Sequence, residues 1–107
     1  MACKQSISVV VKCGRWNEFM SALKHFAAFE RERNSPAMKF WAPQSGQGGR
    51  VVMEIEYPSL GDMEKYMDSI RFDRKHSELR EAVYKNTVDG LQERSIAVEL
   101  DAFAEFR

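Results

Sequence analysis

The sequence predicts an α+β domain with four strands and two helices in the order βαββαβ. Four segments alternate apolar and polar residues with a period of two, which is typical of strands. Two longer segments repeat apolar residues every three or four positions, which is typical of amphipathic helices. Because each helix has one apolar stripe, both are expected to cover the same face of one antiparallel four-stranded sheet.

Composition indicates a single domain spanning residues 1–107, with a core at 4–101 and a C-terminal tail at 102–107. The 44% hydrophobic and 30% charged content is ordinary for a globular protein. The 16 basic and 16 acidic residues cancel, so no net field favours nucleic acid or anionic lipid. No apolar run reaches membrane-spanning length, and the N-terminus leads directly into a strand pattern. We therefore expect a cytoplasmic protein without nucleic-acid or membrane partners.

The first half of the chain contains two strands and a helix. Strand one is predicted at residues 4–12, and helix one at 15–33, ending before Pro36. Strand two follows at residues 37–43. The stripe of helix one consists of Trp16, Phe19, Met20, Leu23, Phe26 and Ala27.

The second half repeats the alternation of helix and strand. A glycine-rich loop at residues 44–49 joins strand two to strand three at 50–57. Ser59, three residues before Asp62, resembles a capping box that begins helix two. Residues 71–73 are a possible interruption of that helix, Gly90 is its stop signal, and strand four covers 92–101. The stripe of the helix after the interruption consists of Phe72, His76, Leu79 and Val83.

The period of two divides the strand residues between two sheet faces. The helix-covered face is predicted to contain Ile7, Val9, Val11, Met38, Phe40, Val51, Met53, Ile55, Ile96, Val98 and Leu100. The other face has an apolar centre with a charged margin, a pattern typical of an interface. Packing of a second copy against it, through a twofold contact, would cover that centre. The predicted homodimer contacts are Val10, Trp41, Val52, Glu54 and Ala97.

Three segments of the chain resemble a known family. They are the helix entry Gly14-Arg15-Trp16-Asn17-Glu18-Phe19, the passage Tyr57-Pro58-Ser59-Leu60 and the stretch Ser69-Ile70-Arg71-Phe72. Together with the βαββαβ order, they resemble the dimeric α/β-barrel proteins of ferredoxin-like fold over residues 4–101. The similarity is greatest to the NIPSNAP-like and antibiotic-biosynthesis-monooxygenase-like branches. The resemblance implies a ferredoxin-like fold and a dimer.

The resemblance also draws attention to His76. Some members of the superfamily that degrade haem or oxidise aromatic polyketides keep a histidine on this helix, so His76 is a candidate catalytic residue. The haem-degrading members carry an asparagine on strand one and a tryptophan on strand three. This chain has Ser6 and Ser8 on strand one, and its Trp41 lies on strand two. No cofactor is therefore expected.

Aromatic residues complete the predicted binding site. Trp41, Tyr57 and Phe72 are candidates to contact a flat ligand beside His76, although aromatic residues on strands more often serve packing. The alternative is that His76 has only a structural role, half-buried at the edge of the helix. The two histidines and two cysteines lack metal-ligand spacing, so no metal site is expected.

Two functions follow from these residues. The first is a homodimer that binds a small apolar or aromatic molecule, with cofactor-free monooxygenase-like catalysis as a further implication. The second is a non-catalytic ligand sensor or protein-interaction module, which the lack of a complete catalytic motif favours. RNA binding is disfavoured because Glu54 and Glu56 lie on the open sheet face.

Overall fold

The computed structural model describes residues 2–43 and 49–100. The predicted α+β class is confirmed, with four strands in one antiparallel sheet and helices on one side. The strands are β1 (Cys3–Val10), β2 (Met38–Trp41), β3 (Arg50–Tyr57) and β4 (Glu93–Val98). The helices are α1 (Trp16–Glu32), α2 (Leu60–Ile70) and α3 (Arg74–Tyr84). Residues 44–48 of the loop predicted at 44–49, and the tail at 102–107, lie outside the described residues.

Strand order and register decide which side chains share a face. The sheet has the order β2-β3-β1-β4, so β1 and β3 are central and β2 and β4 form the edges. Ile7 is opposite Met53 on β3 and Arg94 on β4, and Phe40 is opposite Met53 from the other side. These residues therefore lie in one row on the helix-covered face.

The core lies between this face and the helices. One cluster packs β1 and β3 residues against α1 and α3, including Val9, Phe19 and Phe26. A second cluster joins Tyr57 on β3 to Tyr66 on α2. Within the described residues, no helix combines the length and apolar character needed to cross a bilayer.

The prediction that β4 contributes to the helix-covered core is wrong. Ile96, Val98 and Leu100 are 56%, 39% and 77% exposed, and neither core cluster contains a β4 residue. Ile96 and Val98 do share a face with Gln5 and Cys3, as the alternation predicts. The helices pack over β1, β2 and β3, so the helix-side surface of this edge strand is left uncovered.

The segment predicted as helix two, with its interruption at residues 71–73, forms two separate helices, α2 and α3. The chain turns at residues 71–73, and α3 begins after Asp73, whose side chain accepts a hydrogen bond from the backbone N–H of His76. Phe72 lies in this turn and is 92% exposed, because the break removes it from the stripe that continues through His76 and Val83. The capping role of Ser59 is confirmed, since its hydroxyl accepts from the Asp62 N–H at 3.2 Å.

The open face is partly covered within a single chain. Val10 is only 9% exposed, whereas Trp41 is 54% exposed and Ala97 is also exposed. The chain after α3 hydrogen-bonds to the end of β1, with the Val88 N–H donating to the Val10 carbonyl at 2.8 Å. The uncovered apolar part of this face is therefore centred on Trp41 and its register partner Val52.

Candidate functional site

An apolar cavity of about 80 Å³ lies between the sheet and the helices. Most of its wall is formed by aliphatic and aromatic residues from β1, β2, β3 and all three helices. A groove of about 250 Å³ adjoins it, and four residues line both spaces: Met67, Ile70, His76 and Arg80. The groove lies where α2 ends and α3 begins, so it offers a route from solvent to the cavity.

His76 is the titratable residue placed where cavity and groove meet. It lies in the first turn of α3, and its backbone N–H donates to Asp73 Oδ1 at 3.0 Å. Its ring packs edge-on against Phe26, with 5.2 Å between the ring centroids. The side chain is 4% exposed. Helix capping and aromatic packing thus hold the imidazole in one position.

Glu30 is the buried carboxylate next to His76. It follows Phe19, Leu23 and Phe26 at intervals of four, three and four residues, so α1 presents it on its apolar stripe. Glu30 is 2% exposed, although it lies in the last turn of the helix. A carboxylate at such a position needs hydrogen-bond partners, because burial without them costs several kcal/mol.

Both carboxylate oxygens of Glu30 have partners. Oε2 accepts hydrogen bonds from the hydroxyls of Tyr66, at 2.9 Å, and Ser35. Oε1 contacts Nδ1 of His76, and the guanidinium of Arg33 is 3.8 Å away. Arg33 also pairs with Asp73 at 2.8 Å, which links the end of α1 to the beginning of α3. We call Glu30, Tyr66 and His76 the buried triad.

The contact with Glu30 orients the imidazole of His76. When the carboxylate is ionised it can only accept hydrogen bonds, so Nδ1 of the imidazole is then the donor. Nε2 makes no hydrogen bond within the described residues, where every fully enclosed side-chain nitrogen or oxygen has a partner. The His76 side chain lines both the cavity and the groove. In a neutral imidazole Nε2 is then a proton acceptor.

Burial and the nearby carboxylate oppose ionisation of two tyrosines. Burial raises the pKa of Tyr57 to about 12, with smaller contributions from Cys3 and Glu30. Burial, followed by the negative charge of Glu30, also raises the pKa of Tyr66 well above its usual range. The backbone N–H of His76, with Arg33 as a further cause, lowers the pKa of Asp73. The cluster favours neutral phenols and an ionised Asp73.

We predict that the fold loses stability in alkali as these phenols ionise. Because folding raises both pKa values, their contribution is fully present below about pH 10; the Tyr57 part is lost as pH rises through about 12, and the Tyr66 part is lost at higher pH still. Denaturant unfolding across this range, followed together with phenolate absorbance, measures the loss. The variant Tyr57→Phe/Tyr66→Phe should show a smaller decline with pH, whereas Tyr84→Phe should decline as the parent does. Equal declines in all three proteins would contradict the prediction.

The structure separates the four residues predicted to bind a ligand. His76 lines the cavity. Tyr57 is buried beside it, where its hydroxyl donates to Gln5 Oε1 at 3.2 Å and its ring lies 6.0 Å from that of Tyr66. Trp41 lies on the opposite face of the sheet, and Phe72 points outward from the turn between α2 and α3. Neither Trp41 nor Phe72 lines the cavity.

The five residues predicted at the dimer contact all lie on the open face. The register places Trp41 opposite Val52, Glu54 opposite Ser6, and Lys4 opposite Ala97. Val10 is the member already buried within one chain. The carboxylate of Glu54 is 3.6 Å from the ammonium of Lys4.

Sequence reasoning missed Glu30, Gln5 and Arg80. Glu30 had a detectable signal, because it continues the spacing of the α1 stripe beyond Phe26. Gln5 likewise continues the alternation of Ile7 and Val9 toward the start of β1. The role of Arg80 depends on the break between α2 and α3, which opens the groove.

Comparisons with known proteins give structural likeness at low sequence identity. No family model matches the sequence, and no curated protein matches it. A NIPSNAP family protein from Agrobacterium tumefaciens superposes with a TM-score of 0.77 at 13% identity, covering 95% of this chain and 96% of the other. An antibiotic biosynthesis monooxygenase gives 0.71 at 10% identity, covering 92% and 98%. SnoaB, a cofactor-independent oxygenase from Streptomyces nogalater, gives 0.69 at 10% identity, covering 94% and 95%. This chain therefore has the ferredoxin-like α+β fold of NIPSNAP and antibiotic-biosynthesis-monooxygenase structures, as its resemblance to them predicted.

Proposed function

We propose that this protein is a homodimer that binds a small apolar or aromatic molecule between its sheet and helices, with His76 as a general base. One observation carries the proposal: Nδ1 of His76 is held by a buried carboxylate, while the same imidazole lines both an apolar cavity and the groove beside it. A base that is oriented and shielded from water is suited to removing a proton from a bound substrate.

The proposed chemistry is a cofactor-free, monooxygenase-like oxidation. Nε2 takes a proton from an acidic C–H group of the substrate, and the imidazolium is stabilised by Glu30. The resulting carbanion is electron-rich and reacts with dioxygen as co-substrate. Conversion of a CH₂ group to C=O consumes one O₂ and releases one water. The description of SnoaB as a cofactor-independent oxygenase, on the same fold, supports this reaction class.

The homodimer is proposed from the composition of the open face. Lys39 is opposite Glu54, and Lys4 is opposite Glu56, so basic and acidic residues alternate around Trp41 and Val52. A face that contains equal numbers of both charges can pair with its own copy about a twofold axis. We place the protein in the cytoplasm, where the free thiols of Cys3 and Cys13 remain reduced.

We predict that His76→Gln separates binding from proton transfer. Glutamine still offers Glu30 a donor but cannot act as a base, so proton removal should slow by about 10²- to 10⁴-fold. Single-ring aryl ketones with acidic α-hydrogens serve as probes, with α-hydrogen exchange in D₂O followed by NMR and binding followed by calorimetry. His25→Gln, at the exposed second histidine of the chain, is the matched control and should exchange at the parental rate.

The outcomes distinguish the candidate functions. Binding of the probes with exchange that depends on His76 supports the enzyme. Binding without any catalysed exchange favours the non-catalytic ligand sensor, which the same cavity would serve. If no probe in a varied apolar and aromatic panel binds or stabilises the parent protein, the proposal of a small-molecule site fails.

A further inference from the structure

The two charged side chains that line the cavity within the described residues are both basic. Among the described residues that line the cavity, Arg80 and Arg94 are charged, His76 is titratable, and none is an aspartate or glutamate. The remaining wall is mostly apolar. Such a surface suits a ligand that is apolar over most of its volume and carries a negative charge at one end.

Arg80 is the residue best placed to bind that charge. It lies four residues after His76 on α3, so both side chains project from the same face of the helix. It is half-buried and lines both the cavity and the groove. Arg94 lines the cavity from the exposed edge strand β4.

Arg80, unlike Arg71 and Arg33, has no acidic partner among the described residues. Arg71, on the groove wall, pairs with Asp68 at 3.1 Å, and Arg33 pairs with Asp73 at 2.8 Å. Across residues 2–43 and 49–100, Arg80 forms no salt bridge. A partly desolvated guanidinium is thus available to an incoming anion, for which two parallel N–H donors match a carboxylate.

The size of the cavity limits the apolar part of the ligand. A space of about 80 Å³ corresponds to roughly three water molecules, at about 30 Å³ for each in the liquid. This suits a short aliphatic chain or part of one small ring, with the rest of the ligand extending into the groove. We infer that the ligand is a small monocarboxylic acid whose apolar body fills the cavity and whose carboxylate binds Arg80. This inference rests on the proposed function, since it specifies the chemical class of the molecule bound there.

Acids and their uncharged amides test this inference because they differ mainly in charge. Phenylacetate and phenylacetamide are one pair, and hexanoate and hexanamide are the other, with binding measured by calorimetry. For the parent protein, each acid should bind about 10- to 100-fold more tightly than its amide. Arg80→Gln should remove that advantage while changing amide affinity by less than about twofold, on the same hydrogen-bond arithmetic. Arg74→Gln is the matched control, at an exposed position on the same helix outside both spaces, and should retain the preference.

Each outcome bears on the inference. Equal binding of acid and amide by the parent, or an unchanged preference in Arg80→Gln, would overturn the role of Arg80 while leaving the apolar cavity as a binding site. Tighter binding of phenethylamine than of phenylacetate would overturn the anionic class. If neither acids nor amides bind, this inference and the proposed small-molecule site fail together. Circular dichroism of Arg80→Gln confirms that the comparison is made on folded protein.

Discussion

Replacing Glu30 with alanine is expected to lower the free energy of unfolding by about 3–5 kcal/mol, since each buried donor left without its acceptor costs about 1–3 kcal/mol. The loss arises because His76 Nδ1 and the hydroxyls of Tyr66 and Ser35 would all lose their acceptor. Arg33 would also lose a nearby negative charge. Urea denaturation, with the transition midpoint and slope both recorded, measures the effect.

Two further substitutions control this experiment. Glu32→Ala changes an exposed carboxylate in the same helical turn and should shift stability by no more than about 0.5 kcal/mol. Glu30→Gln keeps the shape of the side chain and one acceptor oxygen, so its effect should be intermediate. If Glu30→Ala is as stable as Glu32→Ala, the buried triad does not contribute to holding the three helices together.

Replacing Trp41 with arginine is expected to weaken the proposed dimer by about 100-fold or more, which corresponds to about 3 kcal/mol. Trp41 is 54% exposed in one chain and is the largest apolar side chain on the open face. Burying it against a second copy would remove much of that apolar surface from water, whereas two arginines near a twofold axis would repel each other. Sedimentation equilibrium should find the parent at twice the 12.4 kDa chain mass and the variant close to that mass.

The second tryptophan of the chain provides the control. Trp16 is 43% exposed on α1, away from the open face, so Trp16→Arg should leave the dimer intact. In Trp16→Phe, Trp41 is the only tryptophan, and its emission should shift to the red on dilution as the dimer dissociates. A parent protein that sediments as a monomer at tens of micromolar would contradict the open-face dimer.

In the proposed site, Glu30 contributes both to the stability of the fold and to the chemistry of His76. The same Glu30 that accepts hydrogen bonds from Tyr66 and Ser35 orients the imidazole of His76. His76→Gln and Glu30→Ala therefore test different things. The first keeps the carboxylate and a donor to it, whereas the second removes the carboxylate. A loss of proton transfer in His76→Gln at near-parental stability would assign the role to Nε2 rather than to the fold.

Local sequence patterns correctly predicted the features that depend on a single strand or helix end. Strand three was predicted at residues 50–57 and is found at Arg50–Tyr57, since its alternation is regular and a turn sequence follows. The Ser59 cap was predicted because the hydroxyl and the backbone N–H of Asp62 that donates to it lie within one helical turn. The same alternation assigned Ile96 and Val98 to the helix-side face, which the register confirms.

Periodicity failed where burial depends on a distant element. Alternation says which side of the sheet Ile96 faces, but the placement of the helices over β1, β2 and β3 leaves it 56% exposed. Phe72 fits the apolar spacing of a continuous helix, yet the chain turns there and exposes it. In both cases the pattern predicts which way a side chain points, but the packing of other elements determines whether that side chain is buried.

Sequence alone determined the α+β class, the order of the elements and the face on which each strand residue lies, because these follow from periods of two and 3.6 within short segments. Only the tertiary structure brought Glu30 to His76, 46 residues along the chain, and to Tyr66, 36 residues along. That contact depends on the ends of three helices converging over the sheet. No local pattern encodes such a convergence, since it results from how the apolar stripes pack together.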